Sequence, residues 1–192
     1  MKKYIEIELK AGFYMPYHVL LSKVIQQLHF GFVNNKTLGI SFPQYSLKRH
    51  TLGDSIRLFG TTEELQQFDI VEVLNQYADN VIISEILDVP EKVKTYASFS
   101  RYRYNYGNTY AGLARAARRK AKRSDMSYDE AFEYLKSFNI DEPEHLPFVS
   151  IKSVSTGGIF RLYVNYTECS AEKVVEEFNS YGLSAVNTVP MF

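Results

Sequence analysis

The chain has 192 residues, enough for one substantial core or two small ones, and its 45% apolar and 15% aromatic content excludes a disordered polypeptide. A single cysteine, Cys169, excludes an internal disulfide or a cysteine-built zinc site, and no apolar run is long enough to span a membrane, so the cytoplasm is the expected compartment and no membrane partner is expected. Lys and Arg balance Asp and Glu at 22 each, an average that taken alone argues against a nucleic-acid partner. In chain order, Ile5, Ile7 and Leu9 alternate with charged residues as in a half-buried strand. Pro16 suits the first turn of a helix whose apolar stripe is Leu20, Val24 and Leu28, with His29 in its last turn and Gly31 as its end. Residues 38–43 and 55–59 read as two strands, the second entered through a turn at Gly53-Asp54. Thr61 and Glu64 form a capping box that opens a second helix through Leu65 and Phe68, and residues 81–87 read as a further strand closed by Val89-Pro90. The order β-α-β-β-α-β predicts an α+β protein with a ferredoxin-like, split βαβ domain over residues 1–90 and a smaller α+β domain over residues 91–192. That architecture serves many RNA-binding modules and fixes no activity by itself.

The charge balance hides an asymmetry. Residues 94–123 contain nine basic side chains, beginning at Lys94, and no acidic one. Tyr96 to Arg103 alternates like a strand, with Tyr96, Phe99, Tyr102, Tyr104 and Tyr106 interleaved with Arg101 and Arg103. A helix is predicted over 109–123, with Tyr110, Leu113, Ala114, Ala117 and Ala121 on one side and Arg115, Arg118, Arg119 and Lys122 on the other. Arg123 closes it. Ser127 and Glu130 cap another helix carrying Ala131, Phe132, Leu135 and Phe138. Residues 148–153 and 159–166 then form a hairpin through the turn Ser155-Thr156-Gly157-Gly158. A mixed-charge helix face is ordinarily only solvated, but like charges on one face repel, and these stand without acids beside aromatics suited to stacking on bases. A nucleic-acid partner is therefore expected, RNA for the single-strand stacking signal and duplex DNA as the rival for a basic helix.

A nuclease built on this sequence needs a source of nucleophile. No cluster of carboxylates suggests a pair of divalent ions, and His18, His29, His50 and His145 share no metal-ligand spacing, so neither metal nor cofactor is expected. The RNA 2′-OH is then the natural nucleophile and a histidine the natural base, since imidazole exchanges protons near neutral pH. Spacing alone does not choose among them: a histidine at a helix end reads first as structural, and Ser153 and Ser155 read first as hairpin residues.

The run Leu146 to Leu162, with its Ser-x-Ser-Thr-Gly and Phe-Arg-Leu blocks, together with Tyr181-Gly182-Leu183-Ser184 and Val189-Pro190-Met191-Phe192, resembles the subtype I-F CRISPR repeat-processing endoribonucleases. Leu28-His29, residues 39–43, Leu52-Gly53 and the arginine-rich helix fall in that family's order, so the resemblance covers nearly the whole chain and is poorest from Glu168 to Ser180. It implies metal-independent cleavage of CRISPR precursor RNA at the 3′ base of the repeat hairpin through the 2′-OH, leaving a 2′,3′-cyclic phosphate. It also implies retention on the mature crRNA beside other subunits of a type I-F interference complex. By motif, His29 resembles the base and Ser153 the residue that positions the 2′-OH, with Ser155 and Tyr181 as supports. Phe160 resembles the aromatic stacked near the scissile phosphate, and Arg101 and Arg103 resemble readers of bases at the foot of the stem. A non-catalytic RNA-hairpin binder of the same fold is the alternative.

Overall fold

The computed structural model describes residues 1–12, 15–93, 95–103, 110–137, 145–153 and 157–192. The expectations for Lys94, Tyr104, Tyr106, Thr109, Phe138, Ser155 and Thr156 lie outside the described residues. Residues 1–102 and 146–192 fold as one unit and residues 103–145 as a second. Among the described residues there are two antiparallel sheets and five α-helices, a mixed α+β protein. No helix among them is long and apolar enough to cross a membrane.

The first sheet is centred on β1 (Lys3–Leu9), which pairs antiparallel with β3 (Ser55–Gly60) on one side and with β4 (Val81–Ile83) and β5 (Leu87–Asp88) on the other. β2 (Gly39–Ser41) lies outside β3, giving the order β2-β3-β1-β4. The strand expected over residues 81–87 is interrupted. Ser84 returns both its N–H and its side chain to Glu6: its Oγ accepts from the Glu6 N–H at 2.9 Å, displacing the regular ladder until pairing resumes at Leu87.

α1 (Tyr17–Phe32) follows β1, with Pro16 at its N-cap, where the missing N–H costs no helical hydrogen bond. It buries Leu20, Leu21, Val24, Ile25, Leu28 and Phe32 on one stripe. Gly31, expected to end the helix, lies inside it. A Cβ there would come within 2.7 Å of the Phe68 ring, so the glycine serves close packing and not termination. The Thr61–Glu64 capping box opens α2 (Thr62–Phe68), and α3 (Ile70–Val73) and a 3-10 turn at Asn75–Asn80 lead into β4.

The second sheet has the order β7-β8-β6-β9, formed by β6 (Thr95–Tyr102), β7 (Phe148–Lys152), β8 (Ile159–Cys169) and β9 (Val189–Met191). Phe99, Ile151, Leu162, Val164 and Phe178 from this half share one core cluster with Leu28, Phe32, Ile40 and Phe42. Side chains held by either sheet can therefore be fixed against the other through buried apolar contact.

In the second unit α4 (Tyr110–Arg123) packs against α5 (Tyr128–Lys136), which starts from the expected Ser127–Glu130 capping box. α4 buries Gly112, Leu113 and Ala117, and Arg115, Arg118, Arg119, Lys122 and Arg123 are exposed. Tyr110, expected on the packed side, is instead 47% exposed.

Candidate active site

The site begins with a turn that the sequence writes plainly. Asn179 folds its side chain back so that Oδ1 accepts from Tyr181 N–H at 2.8 Å, and its own carbonyl accepts from Gly182 N–H at 2.9 Å. Gly182 sits at φ +69°, a left-handed conformation open to glycine at no steric cost, and its carbonyl accepts from the Ile40 N–H of β2 at 2.9 Å. Phe178, buried before the turn, anchors it in the core. The result is a rigid loop that points the Ser180 carbonyl and the Tyr181 ring at the last turn of α1.

His29 meets both. Its Nδ1 lies 2.6 Å from the Ser180 carbonyl oxygen, and its ring stacks on Tyr181 with centroids 4.2 Å apart and planes 10° from parallel. A carbonyl can only accept, so Nδ1 must be the donor, and the neutral imidazole then carries its lone pair on Nε2. An imidazole held in this tautomer is a base aimed by its backbone partner. The guanidinium of Arg101, on β6, lies 5.2 Å from the Phe160 ring centre and 5.9 Å from that of Tyr181. Burial raises the Tyr181 phenol above its ordinary range and the Arg101 charge opposes that shift, so the phenol stays protonated at neutral pH.

α1 and β7 are clamped along their length. β7 is an edge strand whose outward N–H groups would otherwise be unpaired: Ser150 N–H donates to Ser22 Oγ at 3.1 Å and Lys152 N–H to Gln26 Oε1 at 2.8 Å. Four helical residues rise about 6 Å and two strand residues about 6.6 Å, so the two elements advance in step. His29 lies three residues beyond Gln26 on α1, and Ser153 one residue beyond Lys152 on β7. Ser153 is itself held at the hairpin mouth, where its N–H donates to the Gly158 carbonyl at 2.8 Å.

The residues singled out by sequence therefore divide. His29, Tyr181, Arg101 and Phe160 gather at one place, Ser153 closes the adjoining hairpin, and Ser155 lies outside the described residues. Arg103 is exposed in the second unit with the cations of α4. Sequence reasoning missed Ser180, which acts through its backbone, and the signal available was the Asn-x-x-Gly turn around it. No three His, Cys, Asp or Glu side chains among the described residues are grouped to hold a metal ion.

The family described as CRISPR-associated protein (Cas_Csy4) matches residues 4–192. The chain belongs to this family. Two curated Csy4-family relatives, each named CRISPR-associated endonuclease Cas6/Csy4, come from Escherichia coli (strain UTI89 / UPEC) and Pseudomonas aeruginosa (strain UCBPP-PA14). Each is 28% identical to this chain over 194 residues, covering 100% of both sequences. Csy4 membership thus extends over both units, the paired sheets and the cationic helix pair alike.

Proposed function

We propose that this protein is a CRISPR precursor-RNA endoribonuclease that cuts at the 3′ base of the repeat hairpin, uses the RNA 2′-OH as nucleophile and needs no metal. The observation that carries the reading is the His29 Nδ1 contact to the Ser180 carbonyl, which leaves Nε2 as a proton acceptor. In the reaction, Nε2 takes the 2′-OH proton as the 2′ oxygen forms its bond to phosphorus. The bond from phosphorus to the 5′ oxygen breaks, that oxygen acquires a proton, and a 2′,3′-cyclic phosphate and a 5′-OH remain. Ser153 holds the sugar for in-line attack, with Ser155 and Tyr181 as supports, while Phe160 stacks on a base and Arg101 and Arg103 read the foot of the stem. Arg115, Arg118, Arg119, Lys122 and Arg123 grip hairpin phosphates and keep the product bound within a type I-F interference complex in the cytoplasm.

The names of the two relatives support the endonuclease reading. The strand order, with β3 between β1 and β2 and a helix after each of β1 and β3, supports a ferredoxin-like module over residues 1–90. Residues 91–192 then supply the RNA-binding parts. The deciding experiment incubates the pure protein in EDTA with repeat RNA and with the same RNA carrying one deoxyribose immediately 5′ of the scissile phosphate. Cleavage of the first and binding without cleavage of the second are expected. Cleavage of both at one rate makes water the nucleophile; binding of both with no cleavage leaves a hairpin-binding protein.

A further inference from the structure

Resting on the reading just given, we infer that Asn179 is a positioning residue for the cleavage: its side-chain carbonyl orients the peptide group that fixes the His29 proton on Nδ1. On either side of Asn179 the polypeptide is tied down by main-chain bonds. Phe178 N–H donates to the Lys36 carbonyl at 2.8 Å, the Gly182 carbonyl accepts from Ile40 N–H at 2.9 Å, and Ser184 N–H donates to the Phe99 carbonyl at 2.9 Å. Between these anchors lie Asn179, Ser180 and Tyr181, whose course is set within the turn itself.

Three successive N–H groups converge on Asn179. Tyr181 N–H donates to Oδ1 at 2.8 Å and Leu183 N–H to the same oxygen at 3.3 Å, while Gly182 N–H donates to the Asn179 main-chain carbonyl at 2.9 Å. With Gly182 on that carbonyl, the side chain supplies the second oxygen that the turn needs. Asn179 N–H closes the loop onto the Leu183 carbonyl at 2.9 Å. The decisive link is the peptide between Ser180 and Tyr181. Its carbonyl meets His29 Nδ1 at 2.6 Å and its N–H meets Asn179 Oδ1, and in a planar trans peptide these two groups point in opposite directions. Asn179 therefore holds one end of the plane and His29 takes the other. Remove Oδ1 and this peptide can turn about its flanking bonds, carrying the carbonyl off Nδ1. The imidazole is then free to place its proton on Nε2, which presents the wrong nitrogen to the 2′-OH. Asn179 is itself exposed, so shortening it empties no core.

The test follows tautomer and rate together in the full chain. Protein carrying histidine labelled with a heavy nitrogen isotope shows protonated and bare ring nitrogens as separate NMR signals, and the His29 pair is identified by its loss in His29→Ala. At a pH where the imidazole is neutral, the wild-type proton should sit on Nδ1. Asn179→Ala should move a substantial share of it to Nε2 and slow single-turnover cleavage of repeat RNA about 10- to 100-fold, the range between one lost hydrogen bond and a misplacement of about 1 Å. Hairpin affinity, which the proposed reading assigns to the cationic helix, should stay within about twofold. Asn179→Asp keeps the acceptor oxygen and should restore both the Nδ1 proton and most of the rate. A wild-type rate in Asn179→Ala, or a slowed rate with the proton still on Nδ1, overturns the assignment, and so does a failure of Asn179→Asp to restore the tautomer. Failure of the proposed function reads differently: the wild type then cuts no repeat RNA, and the NMR signals alone still decide whether Asn179 sets the tautomer.

Discussion

The two units of this chain are built to opposite rules. Residues 1–102 and 146–192 hold a large aromatic and aliphatic core, and their candidate catalytic groups are fixed by short contacts to that core and to the backbone. In the described residues of 103–145 only Gly112, Leu113, Ala117 and Ala131 are buried, and what the unit displays is an exposed row of cations. The difference suits the two proposed tasks, which depend on distance in different ways. Moving a proton requires atoms placed within a fraction of an ångström, whereas attracting phosphates depends on charge density felt over about 8–10 Å in physiological salt. A small, thinly packed unit suffices for the second and not for the first.

His29→Ala should separate the two tasks most widely. Loss of a general base costs about 100- to 10,000-fold, so cleavage should fall by that factor while hairpin affinity, which the proposed reading assigns to the cationic helix, stays within about twofold in a filter-binding titration. Loss of both together would place His29 in RNA binding and erase the division. Phe178→Ala tests the same unit from its core. Emptying a buried phenylalanine site typically costs about 3–5 kcal/mol, and because Phe178 anchors the Asn179–Gly182 turn, cleavage should fall in the folded variant as well; denaturant melts alongside single-turnover rates separate the two effects. Arg118→Ala with Arg119→Ala should do the reverse. The slope of log affinity against log salt should drop by about one for each phosphate that the variant no longer neutralises, with cleavage unchanged at saturating RNA. An unchanged slope would mean that the face is only solvated.

The smallest expected effect concerns alkali. Burial raises the Tyr45, Tyr166 and Tyr181 phenols above their ordinary value, and all three belong to the larger unit. Above pH about 10 the unfolded chain releases phenolic protons that the folded chain still holds, so stability, complete below that pH, declines as pH rises. Tyr45→Phe should make the decline shallower in thermal melts. Below pH about 10 it should cost about 1 kcal/mol, for the hydrogen bond that the Tyr45 hydroxyl donates to the Val164 carbonyl at 3.2 Å. A decline as steep as wild type would show that Tyr45 does not contribute.

Periodicity and capping made much of the fold legible, because those signals are local. Both capping boxes form at the residues expected, and the β-α-β-β-α-β order appears in the first sheet. β9 was not legible: Pro190 argues against a strand, and is tolerated here because, among the described residues, β9 is the edge of its sheet and pairs with β6 alone. The break at Ser84 depends on a hydroxyl entering the ladder from a strand distant in sequence, which no pattern announces. His29 and Tyr181 were reached through resemblance and not through spacing. Their contact crosses the chain, and the group that orients the imidazole is a main-chain carbonyl in the segment where the resemblance is poorest.

His29 and the carbonyl that sets its proton are separated by 151 positions. As the chain leaves the ribosome, α1 is complete long before Ser180 has been synthesised, and until that turn docks no carbonyl holds the proton on Nδ1. A nascent chain carries its histidine without a defined tautomer. The orientation of His29 is therefore set only after most of the polypeptide has been made and folded, when the arginine-rich helix is already out. The cationic helix is thus synthesised before the carbonyl that orients His29, and an unfinished copy lacks the contact on which the proposed base relies.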